Sequence, residues 1–220
     1  MTGEAGHVTL RPYEHPDRPA VFSLAADTAF FGAPLEIYLD DRRLFCDVFY
    51  RYYTDLEAEH GWVASTGGQV VGFLMGCVDT SAQRRLWLKR ILPAAFVGIL
   101  RGEYIIRKRT WRYAWRLARG ALRGEALRPD VAQYPAHLHL NLQATWRGQG
   151  LGGRLTQAFL QQLRQLGVPG VHADTTSQNT AAISLYERLG FQEVDRRPTQ
   201  QWSGLVPGKV VNLCYALELP

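Results

Sequence analysis

Cysteine is scarce in this 220-residue chain: Cys46, Cys77 and Cys214 are odd in number, far apart and without C-x-x-C spacing. That pattern excludes a disulfide framework and a zinc site, so buried thiols in a reducing cytoplasm, and no metal, are expected. Long apolar runs are missing too. The longest, Ile91–Leu100, is roughly half of the ~20 residues that a bilayer span requires. The opening residues Met1–Gly6 lack the basic and apolar regions of a secretory signal, and a cytoplasmic location follows as an expectation. There is no internal repeat and no low-complexity segment. Acids are nearly absent from residues 81–128, which carry 13 basic side chains against Glu103 and Glu125, a local charge of +11 that leaves −6 for the remainder. The net charge of +5 therefore conceals an acidic body with one strongly basic stretch.

What is present suffices for a folded core. At 46% hydrophobic and 20% charged residues, global disorder is excluded. The length fits one large domain, here 1–220, carrying an insertion at about 81–130. His7–Pro12 reads as a first strand, and Ala20–Phe30 as a helix with Val21, Leu24, Ala25 and Ala29 on its apolar side. A second helix is expected from Asp40, with Leu44, Val48 and Tyr52 at four-residue spacing. Trp62–Ser65 and Val70–Cys77 form a hairpin around Gly67-Gly68. After the basic, mostly helical 81–130 segment, His137–Leu142 alternates polar and apolar residues as a half-buried strand does. A glycine-rich turn at Arg147–Gly153 leads into a helix with Leu151, Leu155, Phe159, Leu163 and Leu166 on one stripe. Strand 171–175, helix 179–189 capped by Gly190, and strands 191–195 and 210–217 follow.

The turn is the most informative stretch. A strand runs directly into Gly148, Gly150, Gly152 and Gly153, where an amphipathic helix starts. Small residues let backbone approach a ligand closely, and the unpaired amides of a first helical turn point at an anion. Arg147 and Arg154 can add charge-assisted contacts. A P-loop reading fails because no Lys-Ser/Thr follows the glycines. A dinucleotide fingerprint is poorly matched: Asp174 lies at about the right distance, but an Asn-x6-Tyr helix follows it.

Arg147-Gly-Gln-Gly-Leu-Gly152 resembles the Arg/Gln-x-x-Gly-x-Gly/Ala motif of the GNAT superfamily of acyl-CoA-dependent N-acetyltransferases. Asn179-Thr-Ala-Ala-Ile-Ser-Leu-Tyr186-Glu-Arg-Leu-Gly-Phe191 is similar to that superfamily's second helix, separated from the first motif by a helix and a strand, as there. More weakly, Tyr134-Pro-Ala-His-Leu-His-Leu-Asn141 resembles a bacterial subgroup related to the acetyltransferase-like domains of some O-GlcNAcases. The resemblance covers 135–195 specifically and 7–80 loosely, and 81–130 has no counterpart in the minimal fold. It implies an α/β GNAT fold, a mixed twisted sheet flanked by helices with a basic helical insertion. It further implies acetyl-CoA as co-substrate, held by Arg147, Gly148, Gln149, Gly150, Leu151, Gly152, Gly153 and Arg154, with the backbone of Leu142 or Gln143 meeting the pantetheine. Asn179 bonds the pantetheine or caps its own helix.

Acetyl transfer to an amine needs a base, an acid and alignment. By its position alone Tyr186 is a half-buried helix aromatic; the resemblance makes it the phenol that protonates the leaving thiolate, at pKa ~10 against ~8.5. His139, then His137, share one strand face and are candidate bases. Glu57, Glu59 and His60 act through water or form a solvated surface. Phe30, Phe31 and Tyr38 fall where the superfamily places acceptor contacts. The basic segment covers the sheet, closes over an acidic substrate or coenzyme phosphates, or attaches to nucleic acid or an anionic membrane; the last two partners are the less favoured, and a homodimer stays open. Transfer of a short acyl group to an amine by direct attack is the expected activity. The alternatives are an acyl-CoA-binding sensor and an interaction module.

Overall fold

The computed structural model describes residues 8–220; His7, expected to open the first strand, and Met1–Gly6 lie outside them. Among the described residues, seven strands form one mixed sheet in the order β1-β2-β3-β4-β5-β7-β6. They are β1 (Thr9–Pro12), β2 (Gly61–Thr66), β3 (Gln69–Cys77), β4 (Ala136–Leu142), β5 (Gly170–Thr176), β6 (Gln192–Thr199) and β7 (Val210–Glu218). Only β4 and β5 run parallel; every other neighbouring pair is antiparallel.

Helices cover both faces, which explains the nearly continuous apolar run of β3: a strand buried on both sides cannot alternate. Phe73, Met75 and Cys77 join one core with residues of α1 (Arg18–Thr28), α2 (Arg42–Phe49) and α3 (Arg51–Asp55). Leu74 joins the opposite core with Leu155, Phe159 and Leu163 of α7 (Leu151–Gln165) and with Tyr186 of α8 (Thr180–Arg188). Gly76 faces α7, and a Cβ there would overlap the ring of Phe159, so the glycine lets α7 seat against the sheet.

The paired acids before α2 divide their work. Asp41 caps α2 by accepting the Leu44 N–H at 2.7 Å. Asp40 instead caps α6 (Lys108–Leu122), accepting from the Arg107 and Thr110 N–H groups at 3.1 and 2.9 Å. The expected single helix from Asp40 through Tyr52 breaks at Tyr50, so Tyr52 belongs to α3.

Between β3 and β4 the chain is helical, as its composition implies: α4 (Thr80–Leu86), a π segment at Trp87–Ile91, α5 (Leu92–Leu100) and α6. Buried polar ties fasten it to the sheet domain. Tyr104 Oη donates to Asp47 at 2.9 Å, and the Glu125 carboxylate accepts from Thr199 Oγ1 and the Gln200 N–H, both at 2.9 Å.

Candidate active site

The site begins with a missing ladder. β4 and β5 pair only at Ala136↔Val171 and His137↔His172. On its other edge, Gln143 donates its N–H to Val71 at 2.9 Å. Because antiparallel pairs alternate between hydrogen-bonded and open, residues 137, 139, 141 and 143 bond to β3, whereas Leu138, Leu140 and Leu142 turn their peptide groups toward β5. Beyond His137 no β5 partner meets them, so Leu140 and Leu142 line a gap. Leu142 thus turns its peptide group to the gap, where its carbonyl accepts from Arg147 Nε at 3.2 Å. Gln143 does not: its amide is engaged by β3 and its side-chain Nε2 donates to Val70 at 3.3 Å.

The turn after β4 presents a row of backbone amides. Gly150 stands at φ +77° as the N-cap of α7, a conformation that costs other residues about 1–2 kcal/mol. The backbone N–H groups of residues 148–153 donate to no partner among the described residues. They sit at the positive end of the α7 dipole. A groove of about 520 Å³ runs from this cradle, past Leu140 and Leu142, to Phe31 and Asn141, with Asn179, Leu185 and Arg188 of the α8 side as its other wall. Asn179 lines the groove and caps α8 at once, accepting the Ala182 N–H at 3.2 Å. Arg147 straddles the groove mouth, Nε donating to Leu142 O at 3.2 Å and Nη2 to Gly32 O at 3.4 Å. Two expected side chains stand outside: Gln149 Nε2 turns to Thr145 O at 2.9 Å, and exposed Arg154 does not line the groove. A wider concavity of about 700 Å³ beyond Arg147, against Gln69 and Asp27, lacks this row of free amides.

On the β4 face opposite α7, polar groups form a directed chain. Pro135 O, which can only accept, lies 2.7 Å from Thr80 Oγ1, so that hydroxyl donates to it. Thr80 Oγ1 then accepts from His137 Nδ1 at 2.7 Å. Burial pushes the His137 pKa well down, with help from the neighbouring His139 and His172, so the ring is neutral and its Nε2 accepts from Tyr53 Oη at 2.6 Å. Tyr53 Oη in turn accepts from His139 Nε2 at 3.0 Å. This assignment, made from the hydrogen-bond pattern, leaves His139 Nδ1 as a bare lone pair. His139 is an exposed residue outside the groove lining, yet desolvation by the surrounding protein, together with His172, lowers its pKa to about 4.

Tyr186 is only 5% exposed, packed against Phe191 and Tyr215 with centroids 5.4 and 5.9 Å away. Its ring is therefore core, and it is absent from the groove wall. Its hydroxyl makes no hydrogen bond among the described residues, and it is not one of the fully enclosed polar atoms without a partner. The phenol is thus held at the inner edge of accessible space. Burial, then Asp174, push its pKa up. Asp174, an exposed residue, lies on β5 two positions beyond His172, the last residue of that strand to pair with β4. The Asp174 pKa is raised by desolvation despite the nearby His172 and a hydrogen bond from Cys214.

Other expected groups lie elsewhere. Glu57 is buried and accepts the Val78 N–H at 2.9 Å; His60 is buried 3.8 Å from it, and exposed Glu59 offers its backbone carbonyl to Gln162. None of the three lines the groove. Of the aromatics, Phe31 lines it, whereas Phe30 and Tyr38 are buried against Trp202, 5.7 and 5.3 Å between centroids. Tyr53 and Thr80 carried no sequence signal, being 84 and 57 residues from the histidine they orient.

Residues 125–191 match the Acetyltransferase (GNAT) family. Over 97% of this chain and 98% of the other, the fold superposes on the crystal structure of SsHAT with TM-score 0.73 and 32% identity. The chain belongs to the GNAT acetyltransferase family. It is 52% identical over 46 residues to mycothiol acetyltransferase of Nocardiopsis dassonvillei, spanning 21% of this chain and 14% of that protein. It is 39% identical over 69 residues to N-alpha-acetyltransferase 30 of Schizosaccharomyces pombe, 31% of this chain and 42% of that one. The chain thus spans less than half the length of either of these curated relatives.

Proposed function

We propose that this chain is a single GNAT domain, interrupted by helices at 81–130, that moves an acetyl or other short acyl group from acyl-CoA to a primary amine by direct attack. One observation carries the reading: the β4–β5 gap opens beside the row of unpartnered amides at 148–153, so one ligand can place a pyrophosphate on the turn and a thioester in the gap. Acetyl-CoA supplies the activated acyl group. The amides of 148–153 and Arg147 hold its phosphates, the peptide groups of Leu140 and Leu142 hold its pantetheine, and Phe31 borders the acceptor end.

The acceptor attacks as the neutral amine, a cationic one first giving a proton to water, and His139 Nδ1 takes the second proton as the nitrogen bonds the acyl carbon and the carbon–sulfur bond breaks. The low pKa keeps this base unprotonated at neutral pH. Asp174, beside the gap, accepts a hydrogen bond from the amine and favours acceptors that are cationic in solution. Tyr186 gives its proton to the departing thiolate; the crowding that raises the phenol's pKa raises that of a thiolate held there too. Direct attack is supported by the cysteines. All three are buried, and burial raises their pKa values, Cys46 to about 12, so none is a ready nucleophile. The test is binding and turnover: acetyl-CoA should raise the thermal midpoint, and a panel of amines should include one that releases CoA. No shift and no release would refute the proposal.

A further inference from the structure

Helix α6 turns an apolar stripe to solvent that nothing among the described residues covers. Its inner side, Thr110, Tyr113 and Gly120, is buried against the domain, where Tyr113 packs on Tyr38. From another side project Trp111, Trp115 and Leu122, at i, i+4 and i+11, exposed by 68%, 62% and 89%. One position further along the same spacing stand Arg112 and Arg119, the latter with its guanidinium 5.8 Å over the Trp115 ring. The ion pairs made by basic residues of the 81–128 stretch, among the described residues, involve Arg101 and Arg123; Arg112 and Arg119 make none.

The charge selects the occupant. A second copy would set one +11 segment against another, and repulsion opposes that pairing. Nucleic acid would engage the arginines but offers no apolar phase to Leu122. The headgroup boundary of an anionic bilayer satisfies both: indoles and leucine enter the acyl edge while guanidinium groups meet phosphates. We propose that α6 docks this protein on an anionic membrane surface. It would lie on the surface, for no described helix is long and apolar enough to cross one.

Flotation of the full chain with vesicles tests this. Vesicles of three parts phosphatidylcholine to one part phosphatidylglycerol should carry it upward at low salt, pure phosphatidylcholine should not, and added salt should release it. Each basic side chain near such a surface is worth about fivefold, so Arg112→Glu with Arg119→Glu should weaken partition by roughly thirtyfold or more. Trp111→Ser with Trp115→Ser should abolish stable flotation, while unchanged thermal midpoints report that these exposed substitutions leave the fold intact. The proposal is overturned if phosphatidylglycerol vesicles do not bind the protein, or if both double variants bind as the parent does. Two further results would overturn it: a dimer in sedimentation equilibrium that the tryptophan variant dissociates, or binding to an oligonucleotide duplex without binding to vesicles.

Discussion

The hydroxyl of Tyr53 lies 2.6 Å from Nε2 of His137, which is 84 residues further along the chain. With Thr80 holding the other ring nitrogen, that contact fixes the direction of every proton up to His139. Tyr53→Phe removes the link and lets His139 adopt either tautomer. The expected result is a kcat lowered by roughly tenfold with KM for acetyl-CoA unchanged, measured by steady-state CoA release. A matching fall in coenzyme affinity would mean that Tyr53 serves packing instead.

His139 should set the acidic limb of the rate profile. Crowding lowers its pKa from 6.5 to about 4, so kcat at saturating amine should hold down to well below pH 6 before falling. His139→Gln should cost roughly 10²–10⁴ in kcat. The same shift bears on stability. A lowered folded pKa means that the unfolded chain binds the proton first, so this group's small contribution to stability is full above about 6.5 and is lost as pH falls toward 4. Denaturant titrations at pH 7 and pH 5 should differ less in His139→Gln than in the parent.

Much of this was legible in the sequence because it is local. Alternation marked β4, the glycines marked the cradle, and the Asn179–Phe191 spacing marked α8, since each depends on neighbours within one or two turns of chain. The face shared by His137 and His139 followed from the period of a strand. What the face meets did not, because α3 and α4 are brought to it only by tertiary folding. Asp174 was readable as a strand residue, but its place beside the gap depends on where the parallel pairing of β4 and β5 ends. The burial of Phe30 and Tyr38 was hidden for the same reason: Trp202, arriving from the β6–β7 connection, packs on both.

Asp174→Asn should raise KM for cationic amines by roughly tenfold and leave KM for acetyl-CoA unchanged, the loss expected when a charge-assisted hydrogen bond becomes a neutral one. Equal effects on amine and coenzyme would place its influence in the fold of β5. Comparing a mono-amine with a diamine under the same conditions reads out how far the carboxylate selects for charge.

Tyr186→Phe separates rate from binding. The ring's packing against Phe191 and Tyr215 is preserved, so acetyl-CoA should bind with unaltered Kd while kcat falls by roughly 10²-fold or more. A thermal midpoint unchanged in the presence and absence of acetyl-CoA would locate the defect in the proton supplied to the thiolate.

The central claim is direct transfer from acyl-CoA to an amine. Its most direct measurement is mass spectrometry of the protein and of an amine panel after incubation with acetyl-CoA. The account predicts an acetylated amine and free CoA in equal amounts, with the protein's own mass unchanged when amine is withheld. An acetylated Cys46, Cys77 or Cys214 that then passes its acyl group to the amine, or no acetylated amine at all, would contradict it.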